Sequence, residues 1–247
     1  GTAPRLISEL RTLTKIPFDV VSNPEFLREG SAIENFMRPD RVIIGSNSQQ
    51  ALAIVRDIYR PLYLIETPII TTDHATAELL KYATNSFLAM KITFINEMAT
   101  LCDATGADIH AIAKGIGLDK RIGPKFLHPG PGFGGSCLPK DTRSLVEIAK
   151  RFHCRLHTVE GTVASNDEIT GYLVARLKEK LTSLKNRTVC VLGLSYKPST
   201  DDVRESPALR FIAALVKEGA QMQVHDPMAN NEAKRVLSGT HIRFYQD

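Results

Sequence analysis

The sequence predicts an α/β protein in three parts: an incomplete parallel α/β unit, a centre dominated by one long helix, and the start of a second α/β unit. Short strand-like runs precede helical periodicities near both ends: RVIIG at 41–45 before QQALAIVRDIYRPL, and VCVLGL at 189–194 before a helix opening at Ser206 and Pro207. Between them, the stretch from His74 to Thr105 contains no proline.

Each element has its own signal. GTAPRLISEL starts an amphipathic helix with Leu6, Leu10 and Leu13 on one face, and FDVVS at 18–22 reads as a short strand. The apolar run YLIETPIIT at 63–71 predicts a further strand. Asp73 caps the long helix, about 45 Å in length at 1.5 Å per residue, and its apolar residues occupy more than one face. Helical patterns follow at 107–117, 141–152 and about 156–185, with a glycine-rich loop between the first two. In the last part Ser206 and Pro207 read as cap and first helical residue, Gly219 as the helix stop, and QMQVHD at 221–226 as the next strand. No glycine fingerprint accompanies the first strands, and the second unit is cut short, so the chain is expected to be a fragment truncated at both ends.

Composition narrows the function. The chain has 247 residues, 43% apolar and 23% charged, enough for a sizeable core. No apolar run is long enough to cross a bilayer and no leader opens the chain, which makes a cytoplasmic location the expectation. The net charge of +4, without an arginine and lysine stripe interleaved with aromatics, speaks against nucleic acid and suits a small anionic ligand. Four cysteines at 102, 137, 154 and 190 lack metal-ligand spacing and read as reduced thiols, three of them as small core residues.

Three constellations stand out. In NPEFLREGSA, Glu25 and Glu29 are four apart; on a helical turn they share a face, where paired carboxylates orient water, although periodicity alone favours a solvated helix start. In ELLKYATNSF, Lys81 and Asn85 are four apart in an apolar helix and need polar partners, whether a ligand, a carboxylate or an interface. In HPGPGFGGSCLPKD, Gly130, Gly132, Gly134 and Gly135 allow close backbone approach, and a helix starting near Cys137 places the thiol at its positive end, favouring thiolate, with Asp141 one turn on. A cysteine protease competes, but none of the seven histidines is assignable as its partner.

Taken together, NPEFLREGSA (23–32), RPDRVIIG (38–45), AELLKYATNSFLA (77–89), RIGPKFLHPGPGFGGSCLPKD (121–141) and GLSYKPSTDDVRES (193–206) resemble the UDP-glucose/GDP-mannose dehydrogenase family, in order and over nearly the whole chain. The resemblance implies part of a Rossmann-like NAD domain at 1–72, a long-helix dimerisation domain at 73–185 and the start of a Rossmann-like nucleotide-sugar domain at 186–247. It implies oxidation of the C6 alcohol of UDP-glucose to UDP-glucuronate with two NAD+. GDP-mannose and UDP-N-acetylmannosamine are the enzymatic alternatives, and a non-catalytic, dimerising sugar-nucleotide-binding module is the alternative of another class.

On that mapping Cys137 is the nucleophile, Lys81 stabilises the oxyanion, Asn85 binds the reacting oxygen, Asp141 holds water and Lys81, and Glu25 is the base for thioester hydrolysis. Phe26, Leu27, Glu29, Phe126, Leu127, His128, Phe133 and Gly134 line the sugar-nucleotide pocket, Tyr196 and Lys197 bind its diphosphate side, and Arg121 reaches a partner subunit's substrate. Glu29, Cys137 and Arg204 face the cofactor, Arg204 that of the partner. No metal is implied. The partner is a second copy of the chain, as a homodimer or higher homo-oligomer, with neither nucleic acid nor membrane. Leu138 stands where the family pattern has an aromatic.

Overall fold

The computed structural model describes residues 1–65, 67–237, 239 and 241–246, with the backbone alone at 63–65. It divides into two compact units, Gly1–Thr84 and Asn85–Asp247.

The first unit runs α1 (Thr2–Leu13), α2 (Ala32–Met37), β1 (Val42–Gly45), α3 (Gln49–Ile58), a 3-10 helix (Arg60–Ile65) and β2 (Ile69–Thr72), then enters α4 (His74–Thr105). β1 and β2 pair in parallel, from Val42 beside Ile69 to Gly45 beside Thr72. Val42, Ile44, Leu52 and Leu62 form the core, with β1 buried throughout, as suits a parallel strand of β-branched residues. Ser48 caps α3 by accepting the Ala51 N–H at 3.2 Å. Gly45 is needed for packing: a Cβ there would lie 2.5 Å from the Ala77 side chain and 2.6 Å from the Asp73 carbonyl.

The second unit continues α4 and adds α5 (Ile109–Leu118), α6 (Leu138–Arg151), α7 (His157–Leu181), β3 (Thr188–Leu192), α8 (Pro207–Lys217), β4 (Gln221–His225), α9 (Asn230–Val236) and β5 (Ile242–Phe244). Its sheet is parallel in the order β3-β4-β5. Leu184, Leu194, Ile212, Leu215, Met222 and Val224 fill its main core. Within this unit α7 is tied to α4 by Ser165 donating to Glu97 at 2.7 Å and Tyr172 donating to Asp103 at 2.7 Å.

The α/β architecture, the long helix and its Asp73 cap follow the sequence reading: Asp73 accepts the Thr76 N–H at 2.9 Å. Other expectations are corrected. FDVVS forms no strand; only Ser22 pairs, in an isolated bridge to Gly45. Residues 23–28 have no regular structure, so Glu25 and Glu29 do not share a helix face. The predicted strand at 63–71 begins only at Ile69, its first residues belonging to the 3-10 helix and Glu66 lying outside the described residues. Ser206 precedes α8 as expected, but its hydroxyl donates to the Leu194 carbonyl at 2.7 Å and does not cap the helix. Cys102 is buried, whereas Cys154 and Cys190 are exposed. Cys190 sits on the face of β3 opposite Val189 and Val191, which pack on the core.

Candidate active site

The residues singled out above form two clusters, one in each unit. In the first, the extended segment after Asn23 is fixed by that residue's side chain, which donates to the Ile43 carbonyl at 2.7 Å and accepts from the Tyr59 hydroxyl at 2.6 Å. Glu25 then reaches α4: its Oε1 lies 3.0 Å from Lys81 Nζ, and Lys81 also donates to the Glu25 carbonyl. Its Oε2 accepts the Leu27 N–H at 2.7 Å, which holds the carboxylate in place. Lys81 stands 5.3 Å from the centre of the Phe26 ring, over which the Arg41 guanidinium also lies, at 3.7 Å. Lys81 thus has the carboxylate partner that its place in an apolar helix demands. Leu27 and Glu29 are exposed, Glu29 in the turn that follows.

In the second unit, the glycine loop delivers Cys137 to the position preceding α6, with the thiol exposed and 3.6 Å from the Ser136 hydroxyl. Pro139 in the first turn of α6 needs no N–H donor there. One turn on, the Asp141 N–H donates to the Cys137 carbonyl at 2.8 Å. The Asp141 side chain is only 2% exposed; its carboxylate accepts from Asn85 Nδ2 at 2.5 Å and pairs with Lys140. Two such donors fix the buried carboxyl group in place near the start of α6.

The loop itself is held from several sides. The Gly130 N–H donates to Asn96 Oδ1 at 2.8 Å, the Phe133 N–H to Asn166 Oδ1 at 2.7 Å and the Gly135 N–H to the Arg204 carbonyl at 2.9 Å. At Gly132, Gly134 and Gly135 the space a side chain would take is filled by the chain itself. A Cβ would lie 2.7 Å from Asn166, 2.3 Å from the Glu205 carbonyl and 2.6 Å from the Tyr196 ring, respectively; only Gly130 of the four has open space. Three of the four glycines therefore answer to packing within the chain. Arg143 braces the contact with the 193–206 segment through a two-pronged pair to Glu205, at 2.9 and 3.3 Å. That pair holds the Glu205 carboxyl below its ordinary range, the Arg143 hydrogen bond being the largest cause.

Leu127 and Phe133 are buried, Phe126 is half-buried with a left-handed φ of 66°, and His128 is exposed. The Lys197 ammonium lies 5.5 Å from the Tyr196 ring centre. Arg121 and Arg204 each form a bidentate pair with an aspartate two residues earlier, Asp119 and Asp202. Both guanidiniums remain largely exposed, at 88% and 65%, so both present a fixed cation outward.

Sequence reasoning missed Asn96, Asn166, Arg143 and Glu205 as holders of the loop, and Asp226 as the latch of the second unit. Asp226 accepts the N–H groups of Leu194, Ser195, Met228 and Ala229 at 2.7 to 3.1 Å. Burial alone would raise its pKa, but these four bonds outweigh it and bring the value down to about 2. For Asn96, Asn166 and Asp226 the available signal was a polar residue at an inward-facing position; Arg143 and Glu205, both exposed, carried none.

Three consecutive segments match the UDP-glucose/GDP-mannose dehydrogenase family: its NAD binding domain over residues 2–63, its central domain over 75–168 and its UDP binding domain over 190–247. The chain belongs to this family of nucleotide-sugar dehydrogenases.

Within it, the chain is 47% identical over 230 residues to the UDP-glucose 6-dehydrogenase TuaD of Bacillus subtilis (strain 168), covering 93% of this chain and 49% of that protein. The solved UDP-glucose dehydrogenase from Pyrobaculum islandicum superposes with a TM-score of 0.95 at 40% identity, over 100% of this chain and 57% of that one. A UDP-D-ManNAc dehydrogenase from Pyrococcus horikoshii gives 0.80 at 28% identity, over 92% and 55%. The chain spans about half the length of the curated relatives it matches.

The donor set fits a nicotinamide dinucleotide in part. Arg204, oriented by Asp202 and open to solvent, is suited to a phosphate. The turn from β1 into α3, by contrast, is closed: Ser46 donates to the Val20 carbonyl, Ser48 donates to Asp19, and Ser48 also caps Ala51. Among the described residues no glycine-rich turn of the dinucleotide type opens a helix.

Proposed function

We propose that the protein of which this chain carries the catalytic cysteine oxidises the C6 alcohol of UDP-glucose to the carboxylate of UDP-glucuronate. The observation that carries the reading is the exposed Cys137 at the head of α6, with the buried Asp141 one turn on and bonded to Asn85. The identity of 47% to a UDP-glucose enzyme, against 28% to the UDP-D-ManNAc enzyme, favours glucose over its rivals. The reading divides the chain at 1–72, 73–185 and 186–247 into NAD-binding, central and sugar-nucleotide-binding parts.

NAD+, when bound, accepts the hydride lost in each of the two oxidations; Glu29 and Cys137 are the residues assigned to the chain's own cofactor, and Arg204 is assigned to that of the partner subunit. The remaining steps belong to side chains. Lys81, held by Glu25, stabilises the alkoxide that precedes the aldehyde, and Asn85 donates to the reacting oxygen. The Cys137 thiolate adds to the C6 aldehyde to give a thiohemiacetal, whose oxidation leaves a thioester on the sulfur. Glu25 takes a proton from water for hydrolysis, which releases the carboxylate and restores the thiol. Asp141 fixes the Asn85 amide and holds the hydrolytic water. Phe26, Leu27, Phe126, Leu127, His128, Phe133 and Gly134 belong to the pocket around the sugar nucleotide, and Tyr196 and Lys197 to its diphosphate side.

A homodimer completes the proposal, with Arg121 contributing to the partner subunit's substrate. Its support is an exposed apolar stripe on α4: Phe87, Phe94 and Leu101 recur every seven residues and are 59%, 43% and 55% exposed. The free thiols at 137, 154 and 190 suit a reducing compartment such as the cytoplasm. Among the described residues no helix is long and apolar enough to cross a membrane.

The test is calorimetric titration with UDP-glucose, UDP-N-acetylmannosamine, GDP-mannose and NAD+. Selective uptake of UDP-glucose supports the substrate assignment. A preference for either other sugar nucleotide reassigns it, and binding without oxidation by the complete protein points to the non-catalytic module.

A further inference from the structure

The glycine loop depends on one residue that no motif marks. Asn166 lies on α7, 5% exposed, and spends both halves of its amide on one backbone unit: Oδ1 accepts the Phe133 N–H at 2.7 Å and Nδ2 donates to the Phe133 carbonyl at 3.2 Å. Closing this ring takes a planar group with an acceptor and a donor at that reach. Aspartate lacks the donor, glutamine is one methylene longer, and leucine, close in shape, has neither function. The neighbouring residue is matched to it. Gly132 has φ +108° and a Cβ there would lie 2.7 Å from Asn166 Oδ1, so the clamp itself demands glycine at that position. A second donor, the Arg210 guanidinium at 3.2 Å, reaches the same Phe133 carbonyl. From Phe133 the chain passes through Gly134 and Gly135, both packed against the 193–206 segment, and arrives at Cys137.

We infer that Asn166 is a positioning residue: by clamping the Phe133 backbone it sets where the Cys137 thiol stands at the head of α6. Asn166 touches the loop and acts through it. The inference rests on the reading of Cys137 as the nucleophile, and nothing above assigns Asn166 a role in the reaction. Supporting residues of this kind decide whether a reacting group is held in place or merely present.

The chain carries its own controls for the test. Cys154 and Cys190 are exposed and remote in sequence from the loop, and Cys102 is buried. Alkylation by iodoacetamide, resolved site by site by mass spectrometry, gives the rate at Cys137 relative to Cys154 and Cys190, while Cys102 reports global opening. Amide hydrogen exchange reads the Phe133 N–H in the same samples. In Asn166→Leu, exchange at Phe133 is expected to rise about tenfold and the Cys137 ratio to shift by about threefold, with Cys102 still slow. A general loss of stability speeds buried Cys102 above all, because the other three thiols are exposed already, and leaves the ratio nearly alone.

Unchanged Phe133 exchange in the variant overturns the clamp. Raised exchange with an unchanged Cys137 ratio overturns its link to the thiol. If Asn166→Leu does not fold, the wild type decides the first point, since a Phe133 amide exchanging at open-chain rates excludes the clamp. Gly132→Ala, which presses on Asn166 from the other side, decides the second by the same ratio. Silence of the wild-type chain toward UDP-glucose bears on the function and not on the clamp, because neither exchange nor alkylation needs a ligand.

Discussion

Asn85 and Asp141 are joined by a 2.5 Å hydrogen bond that brings α4 to the first turn of α6. The carboxylate is buried, so the bond is shielded from water. Asp141→Ala removes the acceptor of Asn85 and the counter-ion of Lys140, and is expected to cost about 1–3 kcal/mol. Asp141→Asn keeps the shape and one acceptor oxygen and should cost less. Urea denaturation of both variants checks the order; equal losses would show that the charge, and not the hydrogen bond, matters.

Gly134 and Gly130 should respond unequally to the same substitution. Gly134→Ala drives a Cβ to 2.3 Å from the Glu205 carbonyl and should destabilise by roughly 1–3 kcal/mol, the usual cost of overpacking. Gly130→Ala meets open space and should leave the melting temperature nearly unchanged. A loss of UDP-glucose affinity in Gly130→Ala at unchanged stability would add Gly130 to the binding surface.

Asp226 makes the second unit sensitive to acid. Its folded pKa of about 2 lies below the roughly 3.9 of an unfolded aspartate, so its contribution is complete above that unfolded value. It declines as the pH falls from about 4 toward 2, where the folded form also protonates. Asp226→Asn should lower stability at neutral pH and flatten the slope over this window. A mutant with the wild-type slope would assign the acid response to other carboxylates.

Thiol accessibility ranks the cysteines. Cys102, 5% exposed, should react last with a limiting thiol reagent, behind Cys137, Cys154 and Cys190. The proposed nucleophile should lead the exposed three. Faster labelling of Cys154 or Cys190 than of Cys137 would count against that role.

Phe94→Asp places a charge in the centre of the exposed α4 stripe. If the stripe is the homodimer interface, light scattering should register a monomer for the variant and a dimer for the parent chain. A dimer in both would move the interface elsewhere.

Much of this fold is legible because periodicity carries it. The apolar spacing of α4, the Asp73 cap and the β-branched runs of β1 and β3 are local signals, and local signals survive in a sequence. The six-residue α2 buries no side chain and β5 has three residues, so neither produces a pattern long enough to read. The residue types and spacings proposed as catalytic, Lys81 with Asn85 and Cys137 with Asp141, were visible as polar residues at helical intervals. What surrounds them was not. Glu205 and Tyr196 lie some sixty to seventy residues from the glycines they pack against, and no spacing rule reaches that far. Ser206 was legible as a cap residue but not in its use, since its hydroxyl donates to the Leu194 carbonyl, while Ser48, which no reading marked, caps α3.

The bonding of the glycine loop to Asn96, Asn166 and Arg204 has a consequence for affinity at the proposed sugar-nucleotide pocket. A loop whose amides are already engaged in the free protein loses little conformational freedom when a ligand arrives, because the entropy of ordering it was surrendered during folding. Contacts made on binding are then not offset by a disorder-to-order transition, and the same bonds that fix the loop are charged to the stability of the fold. Damage to them should therefore appear first in a melting curve and only afterwards in a binding isotherm, which makes thermal shift a sensitive first screen for variants between Gly130 and Cys137.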